Sequence, residues 1–216
     1  MIGVIVPAHN EAQRIARCLR AIDIAAADPR LSQEPVCVVV VADACTDETA
    51  RIARRFDCHV IEITVRSVGA ARSIAADYVL DRGARWIAST DADSRVPPHW
   101  LSAQVNCGHD AVCGTVKLSA SRWLSTQQRI AYDDHYVHAD GHRHIHGANL
   151  GVCASAYRHV GGFPQLPAHE DVGLIAALTK ASRSIAWHAD PCVVTSARLS
   201  GRAPAGMSAF LRNLRS

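Results

Sequence analysis

The stretch VCVVVVA, from Val36 to Ala42, decides the fold class of this 216-residue sequence. A run of valines with no polar interruption is typical of a strand buried on both faces, as in a parallel sheet covered by helices. Working outward from it, further β-rich apolar segments occur at residues 2–6, 60–65 and 86–90, with amphipathic helical segments between them. This alternation predicts an α/β fold with a mostly parallel central sheet and helices on both faces.

The intervening helices are predicted from capping residues and apolar spacing. Asn10 can cap the first helix and Thr46 the second, and Val68 to Leu80 has the pattern of a third. The stretch 119–146 has no assignable pattern. The rest of the second half is expected to contain a helix ending near Asn106, a strand at 111–118, an extended segment at 147–152 and helices at 154–160 and 170–181.

Composition excludes several classes of protein. Lys and Arg number 23 and Asp and Glu 20, and a net charge of +3 is too small for the concentrated basic face of a nucleic-acid-binding protein. No apolar run approaches the roughly 20 residues of a membrane-spanning helix. The N-terminus lacks the basic start and long apolar stretch of a secretion signal, and the 8 cysteines form no CxxC pair and are expected to be reduced. We therefore expect a soluble cytoplasmic protein with one domain.

Polar residues follow three of the four N-terminal strands. They are the segment Pro7 to Glu11, then Asp43, then Asp91 and Asp93. In an open α/β sheet the ligand crevice lies beyond the carboxyl ends of the strands. Two carboxylates two residues apart in extended backbone point to one side, and such a pair suits a divalent cation whose other ligands are waters and substrate phosphates. A solvated acidic loop is the alternative.

Asp43 and Arg72 each have two interpretations. The Asp43 carboxylate at a strand end can accept a hydrogen bond from a nucleobase ring N–H, or it can form a turn or helix cap. Arg72 lies one turn into the helix opened by Gly69 and Ala70, where it can meet a phosphate or a base. A surface arginine is the alternative for Arg72.

Six motifs in order resemble the family 2 glycosyltransferases, which have the GT-A fold. They are VIVPAHNE, VADACTDET, SVGAARS, STDADS, HGANLGVCASAYRHVGGFP and HEDVGL, and the resemblance covers residues 1–178. It implies a metal-dependent, inverting enzyme of the hexosyltransferase type that uses Mn²⁺ or Mg²⁺. The expected reaction transfers a sugar from a nucleoside-diphosphate sugar to a hydroxyl acceptor, which is lipid-linked, a glycan or a small molecule.

The resemblance also implies the roles of individual residues. It implies nucleoside-binding roles for Pro7, Ala8, Glu11, Asp43 and Arg72. It implies that Asp91 and Asp93 hold the metal, with Asp93 the direct ligand, and that the wall beside the donor sugar consists of Gly147, Ala148 and Asn149. It also implies that Glu170 and Asp171 are the acidic pair, with Asp171 the catalytic base. This chemistry needs a cation to neutralise the leaving diphosphate and a carboxylate to take the acceptor proton.

Departures from the family pattern refine this expectation. No QxxRW motif, associated with processive synthases, follows the acidic pair, which favours transfer of single sugars. Ala42 stands where the family has an acidic residue. The expected organisation is one glycosyltransferase domain over 1–216, with a nucleotide-binding half at 1–93, an acceptor and catalytic half at 94–203 and a C-terminal helix at 204–216. The alternatives are a non-catalytic nucleotide-sugar-binding module and a sugar-1-phosphate nucleotidyltransferase.

Three features of the second half have open interpretations. Thr195, Ser196 and Arg198 either close over the diphosphate or form a strand end and a turn. The alternating histidines at 142, 144 and 146 are either a zinc set or part of a polar loop, and His146 or His188 is a candidate to complete the ligands of the Asp91–Asp93 metal. Met207, Phe210, Leu211 and Leu214 at helical spacing either dock on the domain or contact a membrane surface or a second copy.

Overall fold

The computed structural model describes residues 1–119, 127, 130, 132, 134, 136–166 and 168–197. These residues form one seven-stranded sheet in the order β3-β2-β1-β4-β6-β5-β7. The strands are β1 Ile2–Ala8, β2 Val36–Asp43, β3 His59–Ile63, β4 Trp86–Ser89, β5 Ala111–Leu118, β6 Leu150–Cys153 and β7 Ile185–Thr195. Only β6 runs antiparallel to its two neighbours, so the prediction of a mostly parallel sheet is confirmed.

Helices cover both faces of this sheet, as the sequence predicts. They are α1 Ile15–Ala26, α2 Thr49–Ala53, α3 Val68–Asp81, α4 Trp100–Val105, α5 Ala154–His159 and α6 Glu170–Lys180, with 3₁₀ turns at Pro29–Leu31 and Gly147–Asn149. In the part of the chain that the structure describes, no helix is both long and apolar enough to cross a bilayer.

Strand β2 explains why its run of valines is uninterrupted. Val38 and Val40 belong to the apolar cluster that contains α1 and α4, whereas Val39 and Val41 belong to the cluster that contains α3 and α6. Successive side chains of a strand point to opposite faces, so a strand covered on both sides needs an apolar residue at every position.

The two predicted helix caps are wrong. Helix α1 begins at Ile15 rather than directly after Asn10, and the Asn10 side-chain oxygen instead accepts the backbone N–H groups of Thr46 and Asp47, at 2.7 and 3.2 Å. Thr46 does not cap α2, where the Asp47 carboxylate accepts the Thr49 N–H at 3.0 Å. Because β1 and β2 are neighbours in the sheet, the loops that follow them meet, and Asn10 joins them.

The sequence predicts no bounds for strand β7 and offers only a strand end at Thr195 as one interpretation. It lies at the sheet edge parallel to β5, with a register shift between Gly114 and Val116. Residues 185–195 contain His188, Asp190 and Pro191, which interrupt the apolar pattern of a strand. Gly147–Asn149, expected to be extended, forms a 3₁₀ turn before β6.

Candidate active site

The predicted site residues of the first half meet at the carboxyl edge of the sheet. Strands β2, β1 and β4 are adjacent, which brings Asp43 and Asp91 to the same edge as the end of β1. Beneath them the buried Cys18 thiol lies 3.4 Å from the Asp91 carbonyl oxygen. Its pKa is raised by burial and by the charges of Asp93, Asp91 and Glu11. The charges of three carboxylates therefore act on this buried thiol.

Pro7, Ala8 and Glu11 are buried at the end of β1. The Glu11 side chain is 4% exposed and lies 3.7 Å from the Arg14 guanidinium, while its backbone N–H donates to Thr49 Oγ1 at 2.7 Å. All three side chains are therefore shielded from solvent. Their nucleoside-binding role stays a prediction.

The Asp43 carboxylate anchors the start of α3. One oxygen accepts the Arg66 N–H at 2.8 Å and the other the Ser67 N–H at 2.6 Å, and Ser67 in turn caps α3 by accepting the Ala70 N–H at 3.2 Å. The turn-forming interpretation of Asp43 therefore has direct geometric support. Each oxygen keeps a lone pair, so base recognition by Asp43 stays a prediction.

Arg72 lies inside the protein rather than at its surface. It is 4% exposed; one terminal nitrogen donates to Asp91 Oδ1 at 2.6 Å, and the other donates to Glu170. Burial acts to lower the pKa of Arg72, but the carboxylates of Asp91, Glu170 and Asp171 outweigh it and raise the pKa. The surface alternative is therefore wrong. Both terminal nitrogens face carboxylates, and the predicted contact of Arg72 with a phosphate or a base stays a prediction.

Asp171 lies at the start of α6, where the positive end of the helix dipole attracts negative charge. One carboxylate oxygen accepts the Gly147 N–H at 2.7 Å and the other accepts the Val172 N–H at 2.9 Å. The side chain is half-buried, whereas the neighbouring Glu170 is 2% exposed. Of the acidic pair, Asp171 is the member that a ligand can reach.

Gly147 connects the acidic pair to the sheet. Its carbonyl oxygen accepts the Ser89 hydroxyl at 2.7 Å, while its N–H holds Asp171. A Cβ at this position would lie 2.3 Å from an Arg72 terminal nitrogen, so only glycine fits here without displacement. The sequence indicates that a glycine stands before β6 but not that it packs on Arg72.

The Asn149 side chain makes its hydrogen bonds within the protein. Its amide nitrogen donates to the carbonyl oxygens of Thr115 and Pro191, both at 2.8 Å, and its oxygen accepts the Trp100 indole N–H at 2.9 Å. It is 1% exposed. Both N–H groups of the amide are therefore used within the protein, and the role of Asn149 beside the donor sugar stays a prediction.

The two histidines that the sequence offers as a further ligand of the Asp91–Asp93 metal, His146 and His188, make other contacts. His188 faces Asp140, with 3.8 Å between ring nitrogen and carboxylate oxygen, and His146 Nε2 bonds to the Tyr136 hydroxyl at 2.8 Å. Among the described residues, no three His, Cys, Asp or Glu side chains are grouped to hold a metal ion. Asp91 and Asp93 fit a cation that takes one or two carboxylates and completes its ligands with water and phosphates.

The alternating histidines form a stack rather than a zinc set. The rings of His142 and His144 lie 5.5 Å apart, and those of His144 and His146 5.9 Å apart, each pair within 20° of parallel. His142 Nε2 bonds to the carbonyl oxygen of His188 in β7, and His142 Nδ1 accepts the His144 N–H. His144 Nε2 accepts the Val137 N–H. Burial lowers the pKa of His146 to about 4. The His146 ring is therefore neutral at pH 7.

The end of β7 lies beside the segment that carries Asp93. The Ser94 hydroxyl donates to Thr195 Oγ1 at 2.9 Å, and Arg95 exchanges backbone hydrogen bonds with Val194. The strand-end interpretation of Thr195 is supported, although a diphosphate contact stays a prediction. Arg198 and the predicted helix at 204–216 lie outside the described residues.

Comparisons with known proteins place this geometry in a family. The glycosyl transferase family 2 profile matches residues 3–160. The 4,4'-diaponeurosporenoate glycosyltransferase of Staphylococcus aureus (strain USA300) is 40% identical over 62 residues, which are 29% of this chain and 15% of that protein. The match therefore spans a small part of the length of these curated relatives.

Two solved structures share the fold. Staphylococcus aureus TarS 1-349 in complex with UDP-GlcNAc has a TM-score of 0.69 and 17% identity, over 95% of this chain and 61% of that chain. The mannosyltransferase PcManGT from Pyrobaculum calidifontis in complex with GDP-Man and Mn²⁺ has a TM-score of 0.69 and 22% identity, over 93% and 58%. Because the profile covers more than half of the chain, this protein belongs to glycosyl transferase family 2, and its single α/β domain has the GT-A fold.

Proposed function

We propose that this protein is a metal-dependent, inverting glycosyltransferase that transfers one sugar from a nucleoside-diphosphate sugar to a hydroxyl acceptor. The observation that carries the proposal is the position of two acidic pairs at one edge of the sheet. Asp91 and Asp93 follow β4, Glu170 and Asp171 open α6, and Arg72 touches both pairs. Nucleotide sugars bound to the structural relatives TarS and PcManGT support the donor class.

On the donor side of the reaction, Asp91 and Asp93 would hold a divalent cation, Mn²⁺ or Mg²⁺. The bound cation supplies charge neutralisation for the diphosphate as the bond to the sugar breaks. Pro7, Ala8, Glu11 and Asp43 would form the nucleoside crevice beside this point. The Mn²⁺ in the PcManGT complex supports a metal in this fold.

On the acceptor side, Asp171 is proposed to act as the general base. Its two oxygens each accept one backbone N–H, which fixes the carboxylate and leaves a lone pair free on each oxygen. Asp171 takes the hydroxyl proton as the acceptor oxygen bonds to the anomeric carbon. The bond from that carbon to the phosphate oxygen breaks, its electron pair leaves with the nucleoside diphosphate, and attack opposite the leaving group inverts the anomeric centre.

The nucleotide-binding half and the catalytic half proposed here have the bounds predicted from the sequence. Residues 1–93 would bind the nucleotide, and residues 94–203 would carry the base and the acceptor contacts. The acceptor class stays open between a lipid-linked molecule, a glycan and a small molecule. Peripheral contact of residues 204–216 with a membrane is part of the same open question.

The test incubates the purified protein with a panel of UDP- and GDP-sugars, with Mn²⁺ or with EDTA. We expect release of free nucleoside diphosphate with Mn²⁺ and loss of release with EDTA. In Asp93→Ala, metal-dependent nucleotide binding is expected to be lost while the thermal unfolding profile is kept. The exposed Asp57 supplies a matched control, because Asp57→Asn removes a charge far from the proposed site and should leave release unchanged.

Other outcomes would contradict the proposal. Nucleotide-sugar binding without any release would indicate a binding module. Release of pyrophosphate instead of nucleoside diphosphate, when a nucleoside triphosphate and a sugar phosphate are supplied, would indicate a nucleotidyltransferase. A folded Asp93→Ala variant that still binds nucleotide in a metal-dependent way would remove Asp93 from the metal site.

A further inference from the structure

Arg72 is a buried cation between two carboxylates that come from different halves of the chain. Asp91 follows β4, and Glu170, which is 98 residues away from Arg72, opens α6. With Arg72 4% exposed and Glu170 2% exposed, this ion pair is shielded from solvent. A buried charge is strongly unfavourable without its partner, so each of these two side chains holds the other in place.

Two glycines make the space for this ion pair. A Cβ on Gly147 would lie 2.3 Å from the Arg72 guanidinium, and a Cβ on Gly69 would lie 3.2 Å from the Glu170 Cβ. The backbone therefore approaches the guanidinium at Gly147 and the aliphatic part of the Glu170 side chain at Gly69. Gly147 also donates its N–H to Asp171, so the segment that packs on Arg72 is the segment that fixes the proposed base.

We infer that Arg72 is a positioning residue that holds the start of α6 against the end of β4, and does not bind the donor. This inference rests on the proposed function, since it concerns the distance between the proposed metal-binding aspartates and the proposed base. Arg72 contacts Asp91 and Glu170, and Gly147 transmits its position to Asp171. A guanidinium with two terminal nitrogens can serve two carboxylates at once, which the single ammonium of a lysine does less well.

The inference predicts where a loss of function appears. Without Arg72, the charge of Glu170 is left unpaired and the start of α6 shifts, whereas the ends of β1, β2 and β4 stay fixed in the sheet. Misplacing a catalytic group by about 1 Å can reduce the rate by about 10²-fold. We therefore expect kcat to fall while the dissociation constant of the nucleoside diphosphate stays within about threefold of wild type.

The experiment is a double-mutant cycle with Arg72→Gln, Glu170→Gln and the double variant, complemented by Arg72→Lys. Donor turnover, nucleoside-diphosphate binding by calorimetry and the midpoint of thermal unfolding are measured for each. We expect Arg72→Gln to lower kcat by about 10² and to lower the midpoint. The double variant, which has neither charge, should recover much of the decrease in the midpoint of thermal unfolding. Its kcat should be no lower than that of the less active single variant, because the two residues act as one unit. Arg72→Lys should lower kcat less than Arg72→Gln.

A matched control is the surface pair of Arg54 and Glu62, whose side chains are both more than half exposed. Arg54→Gln should change none of the three measurements, because exposed ion pairs contribute little. The inference is overturned if Arg72→Lys weakens nucleoside-diphosphate binding about tenfold or more, or if the losses in the double variant add. If wild-type protein neither binds nor turns over any nucleotide sugar, the proposed function itself has failed, which is a different result.

Discussion

The two sides of the candidate site are built differently. The donor side, formed by residues 7–11, 43 and 91–93, consists of loops that follow adjacent parallel strands, and Asp43 reaches backbone 23 and 24 residues away. The acceptor side, which we name after the proposed base Asp171, is formed by residues 169–171 and by residues 146–149 that contact them, and it depends on partners from several distant elements. Asn149 alone joins α4, β5 and β7. Single substitutions on the donor side should therefore lower the free energy of unfolding less than single substitutions on the acceptor side.

The largest expected effect is on catalysis at the acceptor side. Asp171→Asn keeps the shape of the side chain and one acceptor oxygen, but removes the basicity that the acceptor proton needs. We expect sugar transfer to fall by between about 10² and 10⁴, with nucleotide binding and metal dependence close to wild type. Steady-state transfer and calorimetric binding test this split. Near-normal turnover in the variant would mean that another group is the base.

The second effect is a pH dependence of stability that comes from His146. The Val116 N–H donates to the Tyr136 hydroxyl at 2.9 Å, which leaves the hydroxyl hydrogen for His146 Nε2 and favours a neutral ring. The pKa of His146 is lowered by burial to about 4, from an ordinary 6.5. Between these values the unfolded chain binds a proton that the folded protein does not. The contribution is therefore complete above pH 6.5 and is lost as the pH falls to 4, by about 3 kcal/mol.

Chemical denaturation at pH 7 and at pH 4.5 measures this loss. His146→Gln keeps an acceptor for the Tyr136 hydroxyl but has no group that titrates in this range. We expect the variant to lose less stability than wild type between the two pH values, while other acid-sensitive groups contribute equally to both proteins. Equal losses in the two proteins would show that His146 does not titrate as its burial predicts.

The third effect comes from crowding on the acceptor side. Gly147→Ala places a methyl group 2.3 Å from the Arg72 guanidinium, and we expect it to cost about 1–3 kcal/mol of unfolding free energy and to reduce kcat. Gly69→Ala is the matched control, because its methyl group meets Glu170 at 3.2 Å and lies in helix α3, where alanine is favoured. The control should cost less than about 1 kcal/mol. Equal costs would mean that the contact with Arg72 has room to relax.

The same contrast explains what the sequence could predict. The buried strands and the acidic residues at their ends are visible because apolar period and chain order are local properties. The pairing of Arg72 with Glu170 could not be predicted from the sequence, since an arginine one turn into a helix is equally consistent with an anion-binding site. The bounds of the edge strand β7 could not be predicted, because Pro191 and polar residues interrupt its apolar pattern. The internal role of Asn149 could not be predicted, because its hydrogen-bond partners lie in three elements that are distant along the chain.

The smallest expected effect is on the donor side, at Asp43. Asp43→Asn keeps one acceptor oxygen for the Arg66 or Ser67 N–H groups, and the loss of the other hydrogen bond should cost about 1 kcal/mol. If Asp43 also accepts a nucleobase ring N–H, the preference for one nucleoside diphosphate over another should fall by about fivefold to tenfold.

Asp47 provides the matched comparison for this change. Its carboxylate also accepts two backbone N–H groups, from Ala12 at 3.1 Å and Thr49 at 3.0 Å. Asp47→Asn should cost a similar free energy of unfolding and leave base preference unchanged, because the Asp47 carboxylate holds Ala12 and the start of α2 and is not a proposed base-binding group. Binding of UDP and GDP to both variants separates the two roles of Asp43. If Asp43→Asn keeps the wild-type preference, as Asp47→Asn is expected to, Asp43 only forms the turn before α3.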